Sequence, residues 1–476
     1  MKNSLLEPAN EKMNRTNRLL GMIRSNGIFG GAIAFLLTAI PAAAQDDDWV
    51  RFDDVSAMNI VATTGFGIDD TEEKDLAVGD LNGDGWPDLV VVRKRPFSLP
   101  GGRANALFIN NQGIMVESSA TLAPAFADAT DDRDVVLADL NGDGWLDVTT
   151  APTFGDAPRV YINRGKTQQG DWLGLEFDPQ AGRLPGFVPA PKFCAVAAGD
   201  VTGNGSPDLY FADYENSLED RLLINDGSGF FADETGVRLA PGMAESVFGT
   251  SALILDLNGD GWNDIVKVNS SGNNAPPGSS PSAVRVFTND GNGQFNQLDL
   301  VYTAQPYMVI SGDFNNDQRP DLFVVDDGQD AVLLNQSSAG GPPVFTITSV
   351  GNSPDTAGFG GNLAVADLDD DGFLDIVVSD VDTDIPGCDR SLAVLRNNGS
   401  GHFTDPLANL DRPWKTAGTF DAAIADFNRD GAPDLWAGTC SGHRLFFGRL
   451  TSLLFADSFE EPPTAPERSG HQRRGG

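Results

Sequence analysis

Apolar residues fall along this chain in short runs that return with a period of about 57 residues, each pair of runs closing around a tight acidic turn. The turn is one nonapeptide written seven times. DLNGDGWPD starts at Asp80, DLNGDGWLD at Asp139, DVTGNGSPD at Asp200, DLNGDGWND at Asp256, DFNNDQRPD at Asp313, DLDDDGFLD at Asp367 and DFNRDGAPD at Asp426. Runs such as LAVGD and VVLAD precede it, and runs such as DLVVV and DLYFA follow, so each turn predicts a β-hairpin. A third run comes later (ALFIN, RVYIN, RLLIN, RVFTN, AVLLN, LAVLRN, RLFFG), then a glycine-rich turn and an aromatic strand such as GQFNQL. Four antiparallel strands per repeat, seven times over, predict an all-β, seven-bladed propeller; a sandwich would not repeat so regularly, and a calcium-binding β-helix repeats every nine residues.

A closed ring needs a fastener. The last repeat has no convincing fourth strand after residues 444–448, whereas residues 52–56 match the aromatic fourth strand of other repeats, so the N-terminal strand is expected to complete the blade containing Asp426. Residues 453–459 are the competing segment. Residues 45–450 are thus assigned to the propeller, 1–44 to a secretory signal and 451–476 to a polar, largely disordered tail. The signal reading rests on Arg15, Arg18 and Arg24, an apolar stretch over residues 28–40, and Ala42, Ala43 and Ala44 before Gln45. Met13 and Met22 are alternative starts. The apolar stretch is short for a membrane span, and nothing else in the chain reaches spanning length, so no transmembrane anchor is expected.

The turns carry the chemistry. In DxNxDGxxD, oxygen-bearing side chains stand at positions 1, 3, 5 and 9, with glycine at 6 to allow the fold around one point. Hard oxygen donors without histidine or thiol select Ca²⁺. The expected ligands are Asp80, Asn82, Asp84 and Asp88; Asp139, Asn141, Asp143 and Asp147; Asp256, Asn258, Asp260 and Asp264; Asp313, Asn315, Asp317 and Asp321; Asp367, Asp369, Asp371 and Asp375; and Asp426, Asn428, Asp430 and Asp434. The position-7 carbonyls of Trp86, Trp145, Trp262, Phe373 and Ala432 join them. Position 12, where an EF-hand carries glutamate, holds Val91, Thr150, Phe211, Lys267, Val324, Val378 and Ala437. The cage therefore closes at position 9. The four-aspartate turn at Asp367 is expected to bind most tightly, that at Asp313 to be weakened by Gln318 in the glycine place, and that at Asp200, with only Asp200 and Asp208 as carboxylates, to be weak or empty. Five to six sites follow.

On the acidic nonapeptides, with Phe66-Gly67, Phe248-Gly249 and Phe359-Gly360-Gly361 as partial signatures, the chain resembles the FG-GAP or VCBS repeat family, whose best-known relative is the propeller of integrin α subunits. The resemblance covers roughly residues 52–448. It implies a seven-bladed propeller with calcium hairpins on one face and ligand binding on the other. No integrin leg or inserted adhesion domain is seen, so integrin function is not carried over.

Charge and composition narrow the partners. With 68 acidic against 32 basic residues, a net charge of −36 argues against nucleic acid, anionic membranes and polyanions. Three cysteines cannot make a disulfide scaffold; Cys388 and Cys440 follow the same part of successive repeats and could meet, while Cys194 reads as a buried small side chain. On the face away from the acidic turns, the basic cluster Arg93, Lys94, Arg95 and Arg103 and the polar loop 269–282 stand out. Catalysis finds little to use: His402 reads as a turn residue, His443 as a lone loop residue and His471 as part of the tail. The favoured function is a secreted or periplasmic, monomeric adhesion or interaction module for an extracellular protein or glycan. A lectin using Trp86, Trp145 and Trp262, and a calcium-dependent polysaccharide lyase using Tyr214 or His443, compete with it.

Overall fold

The structure, a computed structural model, describes residues 49–95, 101–215, 218–270, 282–350, 361–379, 388, 391–407 and 412–449. Seven antiparallel sheets follow one another around a ring. Blade 1 runs Glu73–Gly79, Asp88–Lys94, Ala106–Asn111 and Ile114–Glu117. Blade 2 begins at Asp132–Ala138, blade 3 at Phe193–Gly199, blade 4 at Gly249–Leu255, blade 5 at Pro306–Gly312, blade 6 at Leu363–Ala366 and blade 7 at Thr419–Ala425. Inner strands are buried on both faces, because each sheet packs face to face on its neighbours and only the fourth strands meet solvent. Between blades 3 and 4, for example, Ala195, Ala197, Tyr210 and Ala212 meet Ile254, Ile265 and Phe287. Each large one, such as Ile265 or Phe287, contributes about 1.5–3 kcal/mol when fully buried.

The ring closes as expected. Arg51–Asp54 pairs antiparallel with Gly442–Arg449, from Arg51 opposite Arg449 to Asp54 opposite Phe446, and so completes blade 7. The chain then runs along the outer edge of blade 1, where Ile60–Val61 adds a short parallel fifth strand that the repeat pattern does not announce. The signal segment, the tail, most of the 269–282 loop, Phe359-Gly360, the alternative closing strand and His471 lie outside the described residues. Among the described residues no helix is long and apolar enough to cross a membrane.

Neighbouring blades are fastened by one repeated device. An asparagine at or next to the end of the third strand in six blades (Asn110, Asn163, Asn225, Asn289, Asn335, Asn397) donates its Nδ2 to the carbonyl of turn position 2 in the preceding blade at 2.7–2.9 Å: Phe427, Leu81, Leu140, Val201, Leu257 and Phe314. The same amide also reaches the position-8 carbonyl of its own turn. Blade 7 has Gly448 at this place. A Cβ there would lie 2.0 Å from the Pro433 carbonyl oxygen, so no side chain can bridge to blade 6. At that joint, Cys388 of blade 6 is disulfide-bonded to Cys440 of blade 7, and Phe52 packs edge-on against Trp414 at 5.6 Å.

Candidate functional site

Each acidic turn is wound by its own backbone. Asp80 Oδ1 accepts from the Asp84 N–H at 3.1 Å and Oδ2 from the Gly85 N–H at 2.7 Å, while Asp84 Oδ1 accepts from the Trp86 N–H. The turns at Asp139, Asp256, Asp313, Asp367 and Asp426 repeat this pattern. The turn at Asp200 winds identically, with Asn204 replacing the position-5 aspartate. Two residues per turn take left-handed backbone. Position 6 does so as foreseen, including Gln318 at φ +66°; position 4 does so as well, through Gly83, Gly142, Gly203 and Gly259 but also Asn316, Asp370 and Arg429 at φ +56° to +59°. These last side chains hold a conformation that favours glycine.

Position 9 is the hub of the hairpin. Asp88 is fully buried; its Oδ2 accepts from the Leu81 N–H at 3.0 Å and its Oδ1 from the Asn110 N–H at 2.8 Å. Asp147, Asp208, Asp264, Asp321 and Asp375 are bonded in the same way, and Asp434 differs only in accepting from the position-3 N–H of Asn428, with Gly448 as its third-strand donor. Burial raises these carboxyls to about 7 at Asp88, Asp147, Asp264, Asp375 and Asp434, and to about 6 at Asp208 and Asp321.

The residues fit a hard cation. Carboxylate oxygens of Asp367, Asp369 and Asp375 lie within 4.8 Å of one another, and two oxygens bound to one Ca²⁺ can be at most about 5 Å apart. Position 3 points the same way: Asn82 Oδ1 and Asp369 Oδ1 are buried oxygens with no hydrogen-bond partner. Such an atom costs about 1–3 kcal/mol unless something binds it. Where asparagine stands at position 3, it can instead turn to position 5: Asn141 donates to Asp143, and Asn315 to Asp317, each at 3.0 Å. Two arginines already lean on the acidic turns. Arg396 contacts Asp369 at 2.5 Å and Asp371 at 3.3 Å, and Arg319 contacts Asp317.

The half-buried position-7 tryptophans pack against neighbouring turns. A Cβ on Gly83 of blade 1 would lie 2.8 Å from the Trp145 ring of blade 2, and one on Gly203 of blade 3 would lie 2.3 Å from Trp262 of blade 4. Trp86 lies under the Arg429 guanidinium at 5.1 Å.

The opposite face corrects two expectations. The basic cluster is not an open patch: Arg93 is buried with its Nε 3.3 Å from Asp70 and stacks on Phe66 at 4.2 Å, Lys94 pairs with Glu73 at 2.6 Å, and Arg103 pairs with Glu72 at 2.7 Å. These acids precede the inner strand of blade 1 or begin it, and cross-strand register sets Glu73 opposite Lys94. His443 is not in a loop; it is fully buried within Gly442–Arg449. Its Nδ1 accepts from Trp436 Nε1 at 2.9 Å and its Nε2 faces Asp70 at 3.3 Å, while burial lowers it to about 4 and keeps it neutral. Cys194 is buried, as expected.

The FG-GAP-like repeat family matches this sequence at residues 80–150, 200–267 and 313–378, each span taking in two consecutive acidic turns. Human integrin alpha-7 is 32% identical over 31% of this chain and 12% of its own length. Cartilage acidic protein 1 of Xenopus tropicalis is 28% identical over 64% of this chain and 47% of its own, and the human protein is 26% identical over 63% and 46%. The chain thus spans less than half the length of these relatives. A solved lectin from Agrocybe aegerita, described as recognising non-reducing terminal N-acetylglucosamine, aligns over 78% of this chain and 87% of its own with 19% identity and a TM-score of 0.46, too loose a likeness to bear on the ligand.

Proposed function

We propose, from the premise that this chain carries FG-GAP-like repeats on a seven-bladed propeller similar to that of integrin α subunits, that it is a secreted, calcium-binding interaction module. The observation that carries the reading is the acidic turn, repeated once per blade, whose position-3 oxygens in blades 1 and 6 are buried without a partner. Ca²⁺ would be held by the side-chain oxygens at positions 1, 3 and 9 and would supply the positive charge that lets these carboxylates stay ionised together. Asp367, Asp369 and Asp375 form the most complete set. The protein's own residues do the rest: position 1 winds the turn, and position 9 ties the turn to the third strand. With the turns spent on scaffold, the ligand, an extracellular protein or glycan, is assigned to the opposite face, where longer connections join the blades. Binding rather than catalysis is the proposed mode, since His443, the one histidine beside a carboxylate among the described residues, is sealed inside the ring.

Calcium titration of the chelated protein, followed by its melting temperature, tests the scaffold half. A site held at 100 times its Kd adds about 2.7 kcal/mol, so several sites give a rise of many degrees. An unchanged melting curve would sink the reading. Screening the loaded protein against extracellular matrix proteins and glycans tests the other half.

A further inference from the structure

The inner strands begin on the face opposite the acidic turns, and in five of the seven blades they begin with the same irregularity. The register slips between the first and third residues of Asp132–Ala138, Phe193–Gly199, Gly249–Leu255, Pro306–Gly312 and Thr419–Ala425. The residues at the slip are Arg133, Cys194, Thr250, Tyr307 and Phe420. A β-bulge re-aims the extra residue, and a ring of them on innermost strands builds a collar around the channel mouth. A contact across the ring bears this out: Arg133 of blade 2 donates to the Tyr307 hydroxyl of blade 5 at 2.5 Å, 174 residues away; between the neighbouring blades 4 and 5, Thr250 Oγ1 donates to the Tyr307 carbonyl.

Arg133 has Glu73, Tyr307, Tyr214 and Cys194 as electrostatic neighbours, and it is enclosed by the ring; yet a quarter of its side-chain surface remains open to solvent. A group enclosed but reachable lies in a concavity. Its nearest carboxylate, Glu73, is 3.8 Å away through Oε1 and is engaged by Lys94 through Oε2. Beside it, Tyr214 and Phe248 pair edge to face at 4.9 Å, both partly exposed, and Phe248 is held at φ +49°. Left-handed backbone at a bulky residue is the kind of strain that collects at ligand sites.

We propose that this collar binds a single acidic sugar unit, its carboxylate taken by Arg133 and the Tyr307 hydroxyl and its ring resting against Tyr214 and Phe248. The guanidinium supplies paired donors suited to a carboxylate, and the aromatic rings supply apolar surface against which a pyranose ring can rest. A lone acidic unit fits better than a polyanion, because a chain of net charge −36 repels dense negative charge. This rests on taking the face opposite the acidic turns as the recognition face.

The test is titration of the full calcium-loaded chain with D-glucuronate, D-glucose and the dipeptide Gly-Glu, read by calorimetry or ligand-detected NMR. Saturable glucuronate binding, about 10-fold or more weaker for glucose and for R133Q, with R133K intermediate, supports the site. Unchanged circular dichroism and melting of R133Q exclude misfolding as the cause. Gly-Glu binding as tightly as glucuronate overturns the sugar assignment. Absence of saturable carboxylate binding, or equal binding by R133Q, overturns the site while leaving the recognition face standing; that face falls if binding is lost instead in R429Q, on the side of the acidic turns.

Discussion

Six of the joints between blades are built alike, and the one between blades 6 and 7 is not. At the six, one asparagine amide ties its own turn to the turn before it, with both accepting carbonyls in the polypeptide backbone. At the seventh, Gly448 keeps only the backbone share of this device, its N–H donating to Asp434 at 2.8 Å, and a disulfide spans the gap. The pairing of a missing staple with a covalent bond teaches that the ring is only as closed as its weakest joint. A repeat can lose the common fastener where another, of comparable strength, is supplied.

The largest effect expected from breaking this comparison is at the odd joint. Reducing Cys388–Cys440, or the C440S variant, lowers stability by about 2–4 kcal/mol. Hydrogen exchange should then rise first in Leu363–Ala366 and Gly442–Arg449; a uniform rise over all blades would show that the disulfide has no special place. Next comes an ordinary joint. N225A leaves the Leu140 and Pro207 carbonyls without their donor and costs about 1–3 kcal/mol, whether or not reductant is present. Equal loss from N225A and from a surface asparagine such as N292A would remove the staple from the account.

A third effect probes the share common to all seven joints, the position-9 aspartate. Folded carboxyls raised to about 6–7 from an ordinary value near 4 take up protons on folding, so the stability they contribute without metal is complete below about pH 4 and lost as pH rises through 7. Chelated protein should therefore melt lower at pH 8 than at pH 5, and the rise on adding calcium should widen over the same interval. The opposite trend would mean these aspartates are stabilised as anions by their hydrogen bonds alone. The smallest effect belongs to blade 6. R396A removes a partly exposed ion pair and changes stability by no more than about 1 kcal/mol, yet it frees Asp369 and should tighten calcium binding there, measurable by titration.

Much of this architecture is legible in the sequence, because the acidic nonapeptide fixes both the turn and the spacing of the strands around it. The closing strand is legible too, since Phe52 and Asp53 fit a vacancy left by the seventh repeat. The staple lies in plain view as the final asparagine of ALFIN or RVYIN, but its partner sits some 80 residues earlier on another sheet, and no local pattern announces such a contact. The bulges that build the collar leave no mark in composition. The basic cluster misleads for a related reason: Arg93 and Lys94 look unpaired until the hairpin brings Asp70 and Glu73 beside them. His443 reads as a loop residue because the short turn before it, from Thr439 to Gly442, is nearly invisible between two strands.

Closure by the strand Arg51–Asp54 has a consequence for synthesis. Ser56 meets Leu445, 389 residues further on, so an early segment waits for nearly the whole propeller to emerge before it finds its sheet. Once Gly442–Arg449 has been made, its edge lies open to any passing β-segment until Arg51–Asp54 docks on it, which makes newly made copies of this protein vulnerable to one another until the last joint is shut.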